Sequence, residues 1–359
     1  MNDRVNPVDR ADLRTRVQRT LADFLAGQRA HMKSISDDLL PLADAVEAFV
    51  LGGGKRLRPA FAYWGYRGAA APDSEKLIAA VATLELVQAG ALIHDDFMDG
   101  SDTRRGEPSV HRRFEALHGA NLWHGRADQF GAGAAVLLGD LCLVWSDELL
   151  HRSGFDPMAV ARARSTFDLM RTEVMLGQYL DVLSQATAET SAERASLVAR
   201  FKSAKYSVEH PLLFGAALAG ADPALMQAYS AFGLPLGEAF QLRDDVLGVF
   251  GDPATTGKPA GDDLREGKRT YLVAVALEHA EGNADRDLLA KSLGDPELDE
   301  VAVAQLREII VHSGALVRTE ERIEELSAVA LTALDRTEVA GEAAQVLREL
   351  AEAAVHRST

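Results

Sequence analysis

The sequence of 359 residues contains one cysteine, Cys142, and only 6% aromatic residues. A single cysteine excludes an internal disulfide framework and a cysteine-based zinc cluster, and it favours a reducing compartment such as the cytoplasm. The sequence also lacks an apolar run of about eighteen residues and an apolar segment near its polar N-terminus. It therefore predicts neither a membrane span nor a signal peptide.

Positive charge is scarce as well. Lys and Arg number 38 against 54 Asp and Glu, which gives a formal net charge of −16. A chain this acidic disfavours nucleic acid and anionic membrane surfaces as partners. An anionic substrate would have to be held by local arginines, lysines or a metal ion.

Strand-like alternation is missing, whereas Ala- and Leu-rich segments at helical spacing cover most of the chain. The pattern predicts an all-α bundle with a large core. We expect a single domain over residues 1–359, with a loose N-terminus at 1–8 and a motif-bearing core at about 50–272. The glycines within 119–133 predict a loop, and a later helix is predicted to begin near Pro235.

The stretch from Leu92 to Arg105 carries the first chemical signal. No proline occurs from Glu75 until Pro108, so we expect one long helix with an acidic C-terminal end. Its acids are Asp95, Asp96 and Asp99, and the arginines that follow are Arg104 and Arg105. Acids four apart share a helix face, and Mg²⁺ prefers one or two carboxylates plus substrate phosphates. This arrangement predicts a diphosphate site, and the alternative is a solvated acidic helix end.

A second acidic pair, Asp244 and Asp245, ends the helix predicted from Pro235. We hypothesise that the two helix ends face each other and share a cluster of metal ions. Two irregular segments carry cations that could bind phosphates: the glycine-rich loop at 52–59 and the Gly- and Pro-rich stretch at 251–270. For the first of these, a loop with solvated charges is an equal alternative.

Five motifs occur in order between about Val50 and Leu272: GGGKRLRP, LIHDDFMDGSDTRRGEPS, GQYLD, FQLRDDVLG and GKPAGDDLREGKRT. Together they resemble the trans-prenyltransferases, or polyprenyl diphosphate synthases. The resemblance implies an isoprenoid synthase-type helical bundle around a deep central cavity, usually as a homodimer. It also implies Mg²⁺-dependent elongation of dimethylallyl, geranyl or farnesyl diphosphate by isopentenyl diphosphate, with three ions per active site.

The resemblance also implies roles for single residues. The metal motifs would be Asp95, Asp96 and Asp99, then Asp244 and Asp245. Isopentenyl diphosphate would be held by Lys55, Arg58, Gln88 and Arg105, with Gln88 where the family often has histidine. The allylic diphosphate would be held by Arg104, Lys205, Gln241, Lys258 and Lys268. Two positions depart from the family pattern: Gly248 replaces a usual third aspartate, and Tyr206 replaces the threonine that commonly follows the lysine, so that Ser207 would supply the hydroxyl.

Product length is predicted from the helix before Asp95. The growing chain would pass residues at helical spacing, which are Ala91, Gly90, Val87 and Leu84. Gly90 and Ala91 are small where short-chain members of the family carry a large aromatic, which favours geranylgeranyl diphosphate over farnesyl diphosphate. A longer product is a further alternative. Close helix packing is the other explanation of a glycine at this position, since glycine costs a helix about 1 kcal/mol relative to alanine.

Two other functions share some of these features. A class I terpene cyclase would have the same fold and an aspartate-rich motif, but it needs no second diphosphate pocket of the kind that Lys55 and Arg58 suggest. A non-catalytic subunit of a heteromeric prenyltransferase would be expected to lose its acidic motifs, and this chain loses only the aspartate at Gly248.

Overall fold

In the computed structural model, residues 6–252, 261–280 and 282–355 are described. The first helices are α1 (Leu13–Ile35), α2 (Leu40–Leu51), α3 (Leu57–Gly68), α4 (Glu75–Met98), α5 (Val110–Ala120), α6 (Ala127–His151), α7 (Pro157–Ala186), α8 (Ala192–Val198), α9 (His210–Ala219) and α10 (Pro223–Phe250). Later helices span Asp262–Arg265, Tyr271–His279, Asn283–Ser292, Glu300–His312, Ala315–Asp335 and Ala343–Val355. Among the described residues, the only strands are β1 (Thr103–Arg104) and β2 (Glu107–Pro108), paired antiparallel. The all-α prediction is confirmed.

The chain divides into two compact units. The first comprises Met1–Ser165, Pro211–Ala221 and Val339–Val346, and the second comprises Thr166–His210, Asp222–Glu338 and Leu347–Thr359. Each unit is therefore assembled from segments that are distant in sequence. The expectation of one domain over the whole chain stays a prediction.

Helix α4 forms the centre of the first unit. Ser74 caps its N-terminus by accepting a hydrogen bond from the backbone N–H of Leu77, and most of its side chains are buried. It packs against α3 and α6. At Gly90 the contact with α6 is so close that a Cβ atom would lie 2.9 Å from the carbonyl oxygen of Gly139. The predicted long helix ending at the acidic motif is confirmed.

One prediction about the first unit is wrong. The glycines within 119–133 do not form one loop, because α6 already begins at Ala127. Gly131 lies inside this helix, where a Cβ atom would stand 2.3 Å from the carbonyl oxygen of His111, so glycine permits α5 and α6 to touch. Pro7–Asp12 form a short 3₁₀ segment and Val8 is buried, whereas residues 1–5 of the N-terminus predicted to be loose lie outside the described residues.

In the second unit, α10 begins earlier than the sequence suggested. The Asp222 carboxylate accepts a hydrogen bond from the backbone N–H of Leu225 at 2.8 Å and caps the helix there. The helix then continues through Pro235, which was predicted to be its start. A proline inside a helix removes one backbone hydrogen bond. Burial of the long apolar face of α10, on both sides of Pro235, compensates for this loss.

Residues Ala199–Glu209 form a π-helical segment, which the sequence did not indicate. Three glycines on α7 and α10 approach its backbone so closely that a Cβ atom would overlap it: Gly177 at Lys202, Gly237 at Ala204 and Gly233 at Glu209. The π geometry, with hydrogen bonds from residue i to residue i+5, is rare and often lies at functional sites. It also places side chains on faces that the 3.6-residue period does not predict.

Two helices in the described part of the chain, α4 and α6, are long and apolar enough to cross a membrane by length and composition alone. The most apolar window of α4 is 72% buried inside the protein, as expected for a core helix, whereas that of α6 is 28% buried. Its exposed residues include Phe130, Leu137 and Val144 at intervals of seven. The absence of a membrane span stays a prediction.

Candidate active site

The first acidic motif lies at the C-terminal end of α4, where Arg104 folds back onto it. The side chain of Asp96 is buried and accepts hydrogen bonds from Nε of Arg104, at 2.8 Å, and from its Nη2. The same Nη2 lies 3.6 Å from Oδ2 of Asp95. The backbone N–H of Asp99 bonds the carbonyl oxygen of Asp95 at 2.8 Å and closes the last helical turn. Asp95 and Asp99 remain partly exposed, so they are the carboxylates that a ligand can reach.

A tight hairpin turn sets the direction of Arg105. Arg105 and Gly106 connect β1 to β2 with φ angles of +55° and +79°, as in a two-residue type I′ turn. A left-handed conformation costs a non-glycine residue about 1 to 2 kcal/mol. The turn directs the Arg105 side chain towards the glycine-rich loop, where Nη1 of Arg105 donates a hydrogen bond to the carbonyl oxygen of Gly53 at 2.6 Å.

The glycine-rich loop combines one structural arginine with two cations outside the core. Arg56 is buried, where it donates to the Glu85 carboxylate, to Oε1 of Gln18 at 2.7 Å and to the carbonyl oxygen of Val50 at 2.8 Å. Lys55 is exposed and Arg58 partly exposed. Arg56 therefore fixes the loop, while Lys55 and Arg58 remain at least partly exposed and Arg105 reaches the same loop at Gly53.

One face of α4 leads away from the motif. Asp95, Ala91 and Gln88 follow one another at intervals of four and three residues, and all three are partly exposed. The side-chain oxygen of Gln88 is itself buried and has no hydrogen-bond partner among the described residues. Leu84, four residues further, is fully buried. The partly exposed face of α4 therefore ends before Leu84, and the path of a growing chain along it stays a prediction.

The structure corrects the reason given for Gly90. This glycine faces α6, where the Gly139 carbonyl and the Leu143 side chain leave no room for a Cβ atom. Val87 is buried as well. Close helix packing therefore explains Gly90, and among the four residues predicted to set product length only Ala91 is accessible.

The second acidic motif lies near the end of α10 in the second unit. Asp244 is partly exposed, whereas Asp245 is buried and its Oδ1 accepts a hydrogen bond from Nε2 of Gln241 at 2.7 Å. Burial raises the pKa of Asp245 to about 8 against this hydrogen bond, and the charges of Asp263 and Asp244 act in the same direction as burial. Gln241, predicted to bind diphosphate, thus also positions the buried acid.

Asp263 and Lys268 lie in a segment that begins about a dozen residues after the end of α10. Nζ of Lys268 lies 3.2 Å from Oδ1 of Asp263 and 2.6 Å from Oε2 of Glu266. Lys268 is therefore held by two carboxylates on its own segment. Lys258, the other lysine predicted to close over phosphates, lies outside the described residues.

Two lysines of the π-helical segment pair with acids on α7. Nζ of Lys202 lies 2.6 Å from Oδ2 of Asp181, the last residue of the GQYLD motif. Nζ of Lys205 lies 2.8 Å from Oε2 of Glu173, which also receives Nε2 of His210 at 2.7 Å. Burial alone would raise the pKa of Glu173, but the hydrogen bonds from Lys205 and His210 outweigh it and lower the pKa.

Sequence reasoning assigned diphosphate binding to Lys205 and gave no role to Lys202. The available signal was the residue that follows each lysine: Ser203 carries the hydroxyl expected after the lysine, whereas Tyr206 does not match. Pairing with Asp181 also joins Lys202 to a second family-like motif. Both lysines are close to acids, and the role of Lys205 in diphosphate binding stays a prediction.

Arg243, directly before the second motif, ties α10 to the end of the chain. Its Nη1 and Nη2 donate to the two carboxylate oxygens of Glu320, each at 2.6 Å, and its Nε donates to the carbonyl oxygen of Val355 at 2.9 Å. Such a bidentate pair is geometrically specific. It fixes the orientation of the helix turn that carries Asp244.

The donor sets of both motifs fit Mg²⁺. Each offers carboxylate oxygens, which hard divalent cations prefer, and neither offers a thiolate. Within the described ranges, no group of three or more His, Cys, Asp or Glu side chains is arranged to hold a metal ion. The residues therefore suit an ion that takes part of its coordination from a bound phosphate rather than from a protein cage.

Comparisons with known proteins agree with this geometry. The chain is 32% identical over 296 residues to the geranylgeranyl diphosphate synthase of Methanosarcina mazei, covering 80% of this chain and 85% of that protein. It is 31% identical to the geranylfarnesyl diphosphate synthase of Aeropyrum pernix, covering 78% of this chain and 83% of that protein. The structure of the geranylgeranyl pyrophosphate synthase of Corynebacterium glutamicum, in complex with isoprenyl diphosphate and magnesium, is 42% identical, with a TM-score of 0.92 and coverage of 95% and 97%. The polyprenyl synthetase family model matches residues 41–310, and this chain belongs to the polyprenyl synthetase family.

Proposed function

We propose that this protein is a Mg²⁺-dependent prenyltransferase that condenses isopentenyl diphosphate with an allylic diphosphate and releases diphosphate. The main product is geranylgeranyl diphosphate. The observation that carries the proposal is the hydrogen bond from Arg105 to Gly53, because it joins the glycine-rich cationic loop to the acidic end of α4. Two sets of cations then flank one carboxylate motif, as a reaction between two diphosphates requires.

The arginines bind and orient phosphate oxygens. Arg104 is held by Asp95 and Asp96, so its guanidinium keeps one position at the motif. On the other side, Arg105, Lys55 and Arg58 lie around the glycine-rich loop and bind isopentenyl diphosphate. Gln88 lies two helical turns below Asp95 and supplies a polar contact at the start of the apolar path.

Ionisation of the allylic substrate develops charge on its departing diphosphate. Fixed cationic side chains aimed at that charge stabilise it without reorganisation, which is often the largest catalytic effect. Bound Mg²⁺ would add further positive charge at the same phosphate oxygens. The apolar side chains of α4 exclude water from the allylic cation that ionisation leaves. The double bond of isopentenyl diphosphate attacks this cation and forms the new carbon–carbon bond, and the released diphosphate takes the proton that the adduct then loses.

The second acidic motif also binds metal and diphosphate in this proposal. Asp244 and Asp245 would hold Mg²⁺, and the residues that bind the allylic diphosphate with them are Lys202, Lys205, Gln241, Lys258 and Lys268. Each active site would hold three Mg²⁺ ions.

Ala91 sets the product length. It is the small, partly exposed residue one helical turn before Asp95, and the fully buried Leu84 lies about 16 Å along the helix axis from Asp95, at 1.5 Å per residue. An open path at Ala91 admits a chain longer than farnesyl. The closed end near Leu84 limits it.

The protein works as a cytoplasmic homodimer. The exposed residues Phe130, Leu137 and Val144 of α6 form a stripe that a second copy would cover, since such contiguous apolar surface marks association sites. Light scattering after size-exclusion chromatography measures the mass. Leu137→Glu places a charge in the stripe and should convert the dimer to monomers.

The activity is tested by incubating the purified protein with Mg²⁺, isopentenyl diphosphate and each allylic starter in turn. Products are dephosphorylated and identified by mass spectrometry. A dominant linear alcohol of twenty carbons is the expected result. A cyclic hydrocarbon, or no elongation with any starter, would overturn the proposal.

A further inference from the structure

The two acidic motifs of the chain differ at one position. The first has carboxylates at the first, second and fifth positions, Asp95, Asp96 and Asp99, whereas the second has Asp244 and Asp245 followed by Gly248. Asp244 and Gly248 are four residues apart on α10, so they share a face, and both are partly exposed. On its own helix, the second motif therefore lacks a carboxylate on the face where Asp244 projects.

The space above Gly248 is already filled by another acid. A Cβ atom built on Gly248 would lie 1.8 Å from Oδ2 of Asp263, 2.5 Å from its Cγ and 3.1 Å from its Oδ1. These three atoms are the nearest neighbours of that point. The Asp263 carboxylate thus occupies the volume in which a side chain at position 248 would begin, so such a side chain would force the Asp263 carboxylate to shift.

The segment that carries Asp263 is firmly placed. Leu264, the next residue, is fully buried, and Gly261 begins the short helix with a φ angle of +75°. Lys268 closes the segment, since its backbone N–H donates to the carbonyl oxygen of Asp263 at 3.0 Å and its Nζ lies 3.2 Å from Oδ1. The carboxylate over Gly248 is therefore part of the fold, and it connects the motif to Lys268.

We infer that Asp263 supplies the third carboxylate of the second acidic motif, in the place that Gly248 leaves open. The inference rests on the proposed function for its substrate. Asp263 then serves two partners: it adds an oxygen ligand beside Asp244 for a hard divalent cation bound with a diphosphate, and it orients the Lys268 ammonium towards the same diphosphate.

An exchange of the two residues tests this role. Asp263→Ala removes the carboxylate, Gly248→Asp introduces an overlapping side chain, and the double variant moves the carboxylate to the helix. The readout is the Mg²⁺ concentration that gives half of the maximal thermal stabilisation in the presence of methylenediphosphonate, a diphosphate analogue that is not turned over. Each single variant should raise this concentration at least tenfold, and the double variant should return to within about threefold of the wild type.

Asp262→Ala is the matched control, because it removes the neighbouring acid of the same segment; it should leave the Mg²⁺ midpoint within about twofold. Asp263→Asn keeps the shape of the side chain and removes its charge. If the double variant does not fold, the Mg²⁺ midpoint of Asp263→Asn tests whether the carboxylate binds the ion. A wild-type midpoint in Asp263→Asn, or a double variant no better than Asp263→Ala, would overturn the inference. Since no turnover is needed, this result is independent of the elongation assay, whose failure would overturn the proposed function instead.

Discussion

Replacing Ala91 by phenylalanine should shorten the product from twenty carbons to fifteen. Ala91 lies one turn before Asp95 on the partly exposed face of α4, about 6 Å from it along the helix axis. A phenyl ring there would fill the path that the last isoprene unit needs. Forcing extra groups into a packed space costs about 1 to 3 kcal/mol, which corresponds to a change of about 5- to 150-fold in the ratio of the two products.

The assay compares the C20:C15 ratio of the dephosphorylated alcohols by mass spectrometry, with farnesyl diphosphate also offered as a starter. Gly90→Ala is the control, because its added methyl group points at the Gly139 carbonyl and not along the path. It should lower stability without changing the ratio. If Ala91→Phe left the ratio unchanged, or if Gly90→Ala shifted it by as much, the path would not run beside Ala91.

Three further predictions concern the charged groups. Arg104→Met should lower the free energy of unfolding by about 3 to 5 kcal/mol, because the buried Asp96 carboxylate loses its guanidinium partner. Arg112 is exposed, so Arg112→Met should lower the free energy of unfolding by only about 0 to 1 kcal/mol in the same urea titration. Lys202→Ala should raise the KM for the allylic substrate more than Lys205→Ala does, and equal effects would reject Lys202 as the closer phosphate contact. The fold lowers the pKa of the Glu173 carboxylate from its ordinary value of 4.5. Glu173 should therefore stabilise the protein at pH values above 4.5, and this contribution should be lost as the pH falls through the lower pKa of the folded state. The stability difference between wild type and Glu173→Gln should therefore shrink in acid, and a constant difference would contradict the assignment.

The sequence predicted what local periodicity and residue chemistry determine. The helix from Glu75 to the acidic motif was foreseen because no proline or glycine cluster interrupts it before Asp95. The placement of Arg104 beside the acidic motif was foreseen because the two arginines follow Asp99 within about two turns, and the role of Arg104 and Arg105 in phosphate binding stays a prediction. Whether a glycine marks a loop or a close contact depends on the neighbouring helix, so the loop predicted around Gly131 was wrong and two explanations of Gly90 were left open.

The remaining misses come from contacts between distant segments. The pairing of Lys202 and Lys205 with different acids of α7 could not be predicted, because the π-helical segment changes which residues share a face. Asp263 gave no local signal either, since its proposed role comes from the position of its carboxylate over Gly248, fifteen residues earlier in the chain. Such a relation exists only once the segment has folded back onto α10.

The contact of Arg243 with the C-terminal helix also has a consequence for the order of synthesis. Val355 leaves the ribosome about 100 residues after Asp244, a delay of roughly 5 to 20 s at typical rates of elongation. Folding of the first unit is likewise incomplete until its segment Val339–Val346 has been synthesised. Nascent chains stopped before residue 339 should therefore remain sensitive to protease in both units, and protection should arrive only after residues 339–355 have left the ribosome.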